Sequence, residues 1–343
     1  MARKKDPARS DDRPLIERLS ALRGSPWDLA RWGFWVPFRD FLDPEQPDAL
    51  RTLYPLWRLQ YGLAGEQREL MRQELAASFG GDTDAAVRAS YRVAFRVHLE
   101  ELLLGKLTRD NWRHYLRFDG VEHLDAALDR GKGAIILFPH AGNFMMMIAA
   151  VSLSGYRYTQ YAARGMAPDE VAAEHAKVMG HNRWRLAARL AREGNEDRLP
   201  ASFITLDTPV RHLYRRLKDN EVVGIAFDGR IGSRFVKADY LGREALISPG
   251  PYRLAASTGA AIVPTLCACP EEGPNVCTFG APIFGKAWPD LMDRYVHGAV
   301  EPWLREHPGE YGLWLAHCRQ RRAVDDHPFF IDYAPDDRYK RYL

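Results

Sequence analysis

Between Asp48 and Gly105 apolar residues recur every three or four positions, as in Leu53, Leu56 and Leu59 and then Leu70 and Leu75. That is the period of helices with one buried face. Gly80-Gly81-Asp82-Thr83 interrupts the run before Ala85 to Leu104, and the whole region predicts an all-helical leader. The pattern changes near Phe118. After a helix over Val121 to Leu128 and the turn Arg130-Gly131-Lys132-Gly133, Ala134 to Phe138 forms a short continuous apolar run, which predicts a buried strand. The alternation then repeats. A helix over Phe144 to Leu153 precedes a strand over Tyr156 to Tyr161, helices occupy much of 169–192, and Ala201 to Leu206 reads as a strand. A helix over Val210 to Leu217 precedes a strand over Val222 to Phe227, and one over Pro251 to Thr258 precedes Ala261 to Leu266. Repeated strand–helix–strand order implies an α/β fold, a mostly parallel central sheet flanked by helices. Past Cys269, Pro270-Glu-Glu-Gly-Pro274 predicts the turn of a hairpin between 262–268 and 275–283, and Pro289 to Arg305 reads as helical.

This pattern divides the chain into four stretches: a basic, disordered tail over 1–26, a helical leader over 27–117, an α/β domain over 118–325 and a C-terminal tail over 326–343. The leader opens with six aromatics between Trp27 and Pro44 (Trp27, Trp32, Phe34, Trp35, Phe38 and Phe41), interleaved with Arg31 and Arg39. Two readings fit that segment: contact with a lipid headgroup interface, and an N-terminal cover packed on the rest of the chain. Pro37 argues against one long helix through it. The basic start runs into charged residues without an apolar core, so it is not a secretory signal. The longest apolar run, Phe144 to Leu153, is 10 residues and falls short of a membrane span.

Composition narrows the classes further. With 48 Lys and Arg against 45 Asp and Glu, the net charge of +3 is that of an ordinary globular chain and makes nucleic acid a poor partner. Four cysteines (Cys267, Cys269, Cys277 and Cys318) without a C-x-x-C indicate neither zinc nor a disulfide scaffold, and fit a reducing cytoplasm. No metal is expected, since His175 and His181 are six apart on a helical stretch and do not share a face. There is no P-loop, no dinucleotide loop and no G-x-S-x-G elbow.

In an open α/β sheet the ligand crevice lies beyond the carboxyl ends of the strands. Two such positions stand out: Pro139-His140-Ala141-Gly142-Asn143 after the run to Phe138, and Asp228-Gly229-Arg230 after the run to Phe227. A histidine at a strand end, followed by a small-residue turn into a helix, suits a general base, and a hydrogen-bonded turn residue accounts for it equally well. Asp228 likewise fits either a site carboxylate or a partner of Arg230. From Pro209 to Arg243 there are eight basic residues (Arg211, Arg215, Arg216, Lys218, Arg230, Arg234, Lys237, Arg243) against four acids, a patch able to hold phosphate. Arg215, Arg216 and Lys218 also fit the solvated face of one helix.

Taken in order, these blocks resemble the lysophospholipid acyltransferase superfamily, and within it the late acyltransferases of lipid A assembly. The resemblance covers about residues 50 to 325. It is carried by Leu137-Phe138-Pro139-His140-Ala141-Gly142-Asn143-Phe144, by Leu217-Lys218 through Phe227-Asp228, by Asp239-Tyr240-Leu241-Gly242-Arg243 with Ser248-Pro249-Gly250-Pro251 through Val263-Pro264, and by Tyr311-Gly-Leu-Trp314 with His317 and Arg321-Arg322. It implies transfer of a fatty acyl group from an acyl thioester, acyl-CoA or acyl carrier protein, to a hydroxyl or amine of a lipid acceptor, with His140 as base and no cofactor. It also implies a cytoplasmic protein, peripheral on the inner membrane, with Gly142 and Asn143 near the oxyanion and Arg230, Gly242 and Arg243 near a headgroup or donor phosphate; the Met145-Met146-Met147 run fits plain core, and its flexible thioethers also suit an acyl-chain tunnel. In one place the chain departs from the pattern. Five residues after the histidine, where the family carries Asp or Glu, stands Met145, whose thioether is a weak acceptor. Three accounts stay open: Asp228 reaches the imidazole from the neighbouring strand end; a backbone carbonyl or Asn143 orients it; or the chain is a non-catalytic lipid- or acyl-chain-binding protein on the same scaffold.

Overall fold

Strands covered on both faces account for the continuous apolar runs of the second half of the chain. A computed structural model describes residues 26–162, 183–205, 208–229, 232, 234–321 and 327–343. The expectations for the tail before Pro26, for His175 and His181, for Arg230 and for Arg322 fall outside the described residues. The described chain forms two units, one built from 1–41 with 167–194 and the other from 42–166 with 195–343.

In the first unit the helix α1 (Pro26–Gly33) does not stop at Pro37. It continues through the π-helical turn Phe34–Phe38 into Arg39–Phe41, contrary to the break expected from the proline. Widening to i→i+5 bonding accommodates a ring that carries no N–H and crowds the preceding carbonyl, so the helix survives. Trp35 is buried, Trp32 meets Trp184 edge-on at 4.6 Å, and Arg39 donates to the Ala191 carbonyl. Phe41 is exposed.

In the second unit the leader supplies α2 (Trp57–Leu63), α3 (Gly65–Phe79) and α4 (Asp84–Glu101), as the periodicity predicts. A seven-stranded sheet follows, in the order β1-β9-β8-β2-β5-β3-β4. Its strands are β1 (Leu116–Asp119), β2 (Ala134–Phe138), β3 (Tyr158–Tyr161), β4 (Ser202–Ile204), β5 (Val222–Ala226), β8 (Ala261–Ala268) and β9 (Asn275–Phe279). Every pairing is parallel except the expected β8–β9 hairpin. Along the chain come α5 (Val121–Leu128), α6 (Phe144–Leu153), α7 (Arg183–Glu196), whose residues up to Gly194 belong to the first unit, and then α8 (Arg211–Lys218), α9 (Gly250–Thr258), α10 (Trp288–Tyr295), α11 (Glu301–Glu306) and α12 (Gly312–Arg321).

The periodicity does not predict β1, nor a separate hairpin of β6 (Val236–Tyr240) and β7 (Arg243–Ile247). Leu241 and Gly242 form the turn of that hairpin, both with positive φ (55° and 73°), the geometry a two-residue turn of primed type requires. The end of the chain packs on this hairpin: Leu246 donates to the Phe329 carbonyl and Phe235 to that of Tyr342. None of the described helices is long and apolar enough to cross a membrane.

Candidate active site

The register of β2 against β5 decides what meets at the sheet's carboxyl edge. Phe138 pairs with Ala226, and the Phe227 amide donates to the Phe138 carbonyl. His140 and Asp228 each follow by two residues, so the parallel pair delivers both side chains to the same place. Asp228 Oδ1 lies 2.6 Å from His140 Nδ1, while Oδ2 accepts from the His140 backbone amide at 3.0 Å and from the Tyr311 hydroxyl at 2.7 Å. The carboxylate is wholly buried and carries three donors, which satisfies the charge where water cannot. An ionised carboxylate only accepts, so Nδ1 holds the imidazole proton and Nε2 is left with its lone pair.

The ring itself is clamped. Trp314 of α12 stacks on it at 3.9 Å and 15°, and Phe144 meets it edge-on at 5.0 Å. With 21% of its side chain exposed and no partner for Nε2 among the described residues, His140 is held fast on one nitrogen and open on the other. Burial, with the Asp228 charge beside it, pushes the Tyr311 phenol well above its ordinary pKa, so it remains a donor to the carboxylate.

The turn that carries His140 is tightly built. Gly142 has φ +56°, its amide donates to the Glu310 carbonyl at 3.0 Å, and an added Cβ would overlap the Cys267 carbonyl. Gly142→Ala therefore combines backbone strain with a main-chain clash and is expected to destabilise the fold by about 3 kcal/mol or more, read by chemical denaturation. Asn143 caps α6: its Oδ1 accepts from the Met146 amide at 3.0 Å, and its Nδ2 donates to Glu100 Oε2 at 2.6 Å. Glu100, wholly buried in α4, also accepts from Arg96 at 2.8 Å, from Tyr54 and from Asn275. Four partners complete its oxygens, and the leader thereby fixes the start of the helix behind His140.

Glu310 beside this turn is different. Its Oε1 accepts from the Cys269 amide, but Oε2 is buried without a hydrogen-bond partner among the described residues. Burial pushes its pKa above the ordinary 4.5, against the opposing pull of the Cys269 amide and nearby arginines. The native state therefore binds more protons than the unfolded one between 4.5 and the raised value, so stability falls as pH rises through that window. Glu310→Gln is expected to flatten that part of the stability–pH curve, measured by urea unfolding from pH 4 upward.

A sequence model of the bacterial lipid A biosynthesis acyltransferases matches residues 59–317. The chain belongs to that family. Phosphatidylinositol mannoside acyltransferases from two strains of Mycobacterium tuberculosis are 29% identical over 216 residues, which cover 60% of this chain and 62% of theirs. The one from Mycolicibacterium smegmatis is 28% identical over 209 residues, covering 58% and 62%. The similarity thus spans about three fifths of these relatives' own length.

Within this member of the lipid A acyltransferase family, the other expected site residues fall in several places. Met145 lies in the first turn of α6, buried with Met146 and Met147. Gly142 and Asn143 sit beside His140, where the amide of the first is engaged by the Glu310 carbonyl and the carboxamide of the second by Met146 and Glu100. Arg243 is a correction of a larger kind. Its guanidinium bonds Asp332 through Nε and Nη2, reaches Glu74 at 3.1 Å, and stacks on Phe330 at 3.8 Å. Only 9% of the side chain is exposed, so it ties the β6–β7 hairpin to α3 and the chain end and is not available to a phosphate. Gly242 supplies the positive φ of the same hairpin's turn. Of the remaining basic patch, Arg215 pairs with Asp219, Arg216 with Glu221 and Lys237 with Glu244.

Sequence reasoning had no role for Tyr311, Trp314, Glu100 or Asn275. The Tyr311-Gly-Leu-Trp314 block was the available signal, since it places both aromatics at the start of one helix. Asn275 gives no local signal and Glu100 only an i, i+4 pairing with Arg96, because their other partners come from distant segments.

Proposed function

We propose that this chain transfers a fatty acyl group from an acyl thioester to a hydroxyl or amine of a lipid acceptor, with His140 Nε2 as general base. The acceptor O–H or N–H gives its proton to Nε2, and the freed oxygen or nitrogen adds to the thioester carbonyl. Collapse of the tetrahedral intermediate breaks the C–S bond, and the imidazolium returns its proton to the departing thiolate. The products are an acylated lipid and a free thiol, and no metal or redox cofactor enters the balance. Asp228 keeps Nδ1 protonated and stabilises the imidazolium that forms, as the carboxylate does in Ser-His-Asp triads.

The observation that carries this reading is the 2.6 Å contact between Asp228 and Nδ1. It supplies from the neighbouring strand end the acid that Met145 cannot. Acyl-CoA and acyl carrier protein are both suitable donors, and the names of the relatives make a phosphatidylinositol mannoside and a lipid A precursor the first acceptors to try. Met145, at the start of α6, is assigned to the acyl-chain side of the site. The protein is placed on the cytoplasmic face of the inner membrane, with the aromatic segment Trp27 to Phe41 at the headgroup level.

The test incubates purified protein with each donor and each acceptor, and follows thiol release together with the mass of the acylated lipid. Equal amounts of both are expected. The second reading, a non-catalytic lipid- or acyl-chain-binding protein, is favoured by the methionine at the family's acid position. Under it the natural chain is silent and Met145→Glu gains turnover.

A further inference from the structure

We infer that the outer face of α2 is a membrane-docking surface that seats this protein on an anionic lipid bilayer. The inference rests on the lipid-acceptor reading above and extends it from what is acylated to where the site meets it. The helix has two faces. Trp57 and Tyr61 turn inward against the core, where Tyr61 meets Tyr91 edge-on at 5.4 Å. Leu56, just ahead of the helix, together with Leu59 and Leu63, turns outward, 45%, 66% and 77% exposed. Their i, i+3, i+7 spacing aligns three leucines in one exposed ridge, which no described residue covers.

Charge chooses the occupant. From Ala49 to Gly65 the chain has no acidic residue, and it carries Arg51 and Arg58. Arg58 is exposed, lies over the Trp57 ring at 5.4 Å, and has no ion-pair partner among the described residues. A leucine ridge flanked by an uncompensated cation suits the headgroup and upper acyl region of an anionic bilayer. Its position suits the reaction as well. Tyr54, three residues before the helix, donates to Glu100, and Glu100 accepts from Asn143 beside His140. A lipid acceptor keeps its chains in the bilayer while its headgroup reaches Nε2, so the docking face and the site must be neighbours.

The chain's four cysteines are all buried, so Leu59→Cys in the 343-residue chain takes one environment-sensitive fluorophore at that position. With vesicles of phosphatidylglycerol and phosphatidylcholine, the label is expected to shift to the blue and to be quenched by lipids spin-labelled in the acyl chain. Leu56→Gln with Leu63→Gln is expected to lower vesicle partitioning at least about tenfold. Arg58→Glu is expected to weaken binding to vesicles containing phosphatidylglycerol, with no effect on phosphatidylcholine alone. Vesicle binding without quenching, or no vesicle binding, overturns the proposal. So does a label already shielded without lipid, whether by a second copy, shown by a doubled solution mass, or by the chain itself at unchanged mass. Partitioning is read without acyl transfer, so an inert protein with a quenched label refutes the reaction alone, and an active one with an unquenched label refutes the docking face alone.

Discussion

His140→Ala is expected to lower the rate of acyl transfer about 10³- to 10⁴-fold while the protein stays folded, the upper range for loss of a positioned general base. The imidazole brings a nitrogen with a free lone pair to the carboxyl edge of β2, whereas the indole nitrogen of Trp314 beside it can only donate. Folding survives because Asp228 keeps two of its three donors, the residue-140 amide and Tyr311. Loss of the third leaves a buried carboxylate less well satisfied, a cost of about 1–3 kcal/mol. Initial rates of thiol release, measured beside an unfolding curve, separate the two effects. A variant that unfolds at assay temperature would show in the curve and not be scored as a catalytic loss.

Asp228→Asn should cost about as much, up to the order of 10⁴-fold in kcat, or about 5–6 kcal/mol of transition-state stabilisation, by analogy with the same change in Ser-His-Asp triads. The carboxylate accepts at both oxygens, whereas the amide accepts at one and donates at the other. An NH₂ placed against Nδ1 reverses the tautomer, moves the ring proton to Nε2 and removes the base. An oxygen kept against Nδ1 instead turns the NH₂ toward the Tyr311 hydroxyl and the residue-140 amide, both of which donate to it now. Either arrangement breaks the site. The expected signature is a loss in kcat with little change in KM, because neither donor nor acceptor touches the buried carboxylate.

The two residues of that pair were legible because they stand immediately after continuous apolar runs, and a parallel sheet sends such positions to one edge. Their contact was legible only as one of three open accounts, since deciding it needs β2 and β5 to be neighbours in the order β8-β2-β5-β3. Sequence order alone places β3 and β4 between them. The strand β1 escaped because Leu-Arg-Phe-Asp is a four-residue edge strand with two charges, too short to show a period. The β6–β7 hairpin escaped because its turn is Leu241-Gly242 and lacks the Asn-Gly or Asp-Gly that usually marks a primed turn. Pro37 misled because a π-helical turn absorbs it.

Arg243 shows the harder limit. Its Gly-Arg setting looked like a phosphate contact, yet Glu74 and Asp332, 169 and 89 residues away, already complete its guanidinium. A cation's availability is a property of the folded neighbourhood and not of its motif. The same holds, with opposite outcome, for Asp228, whose nearest cation in sequence is Arg230 and whose partners in the fold are His140 and Tyr311.

The pair acts as a unit if the account is right, and a double-mutant cycle measures that directly. Thiol release and acylated lipid are followed for the wild type, His140→Ala, Asp228→Asn and the double variant with one donor and one acceptor. The account predicts equal amounts of thiol and acylated lipid from the wild type, and a double variant no more than about threefold slower than His140→Ala alone. A wild type that transfers nothing, or single losses that multiply in the double variant, would contradict it.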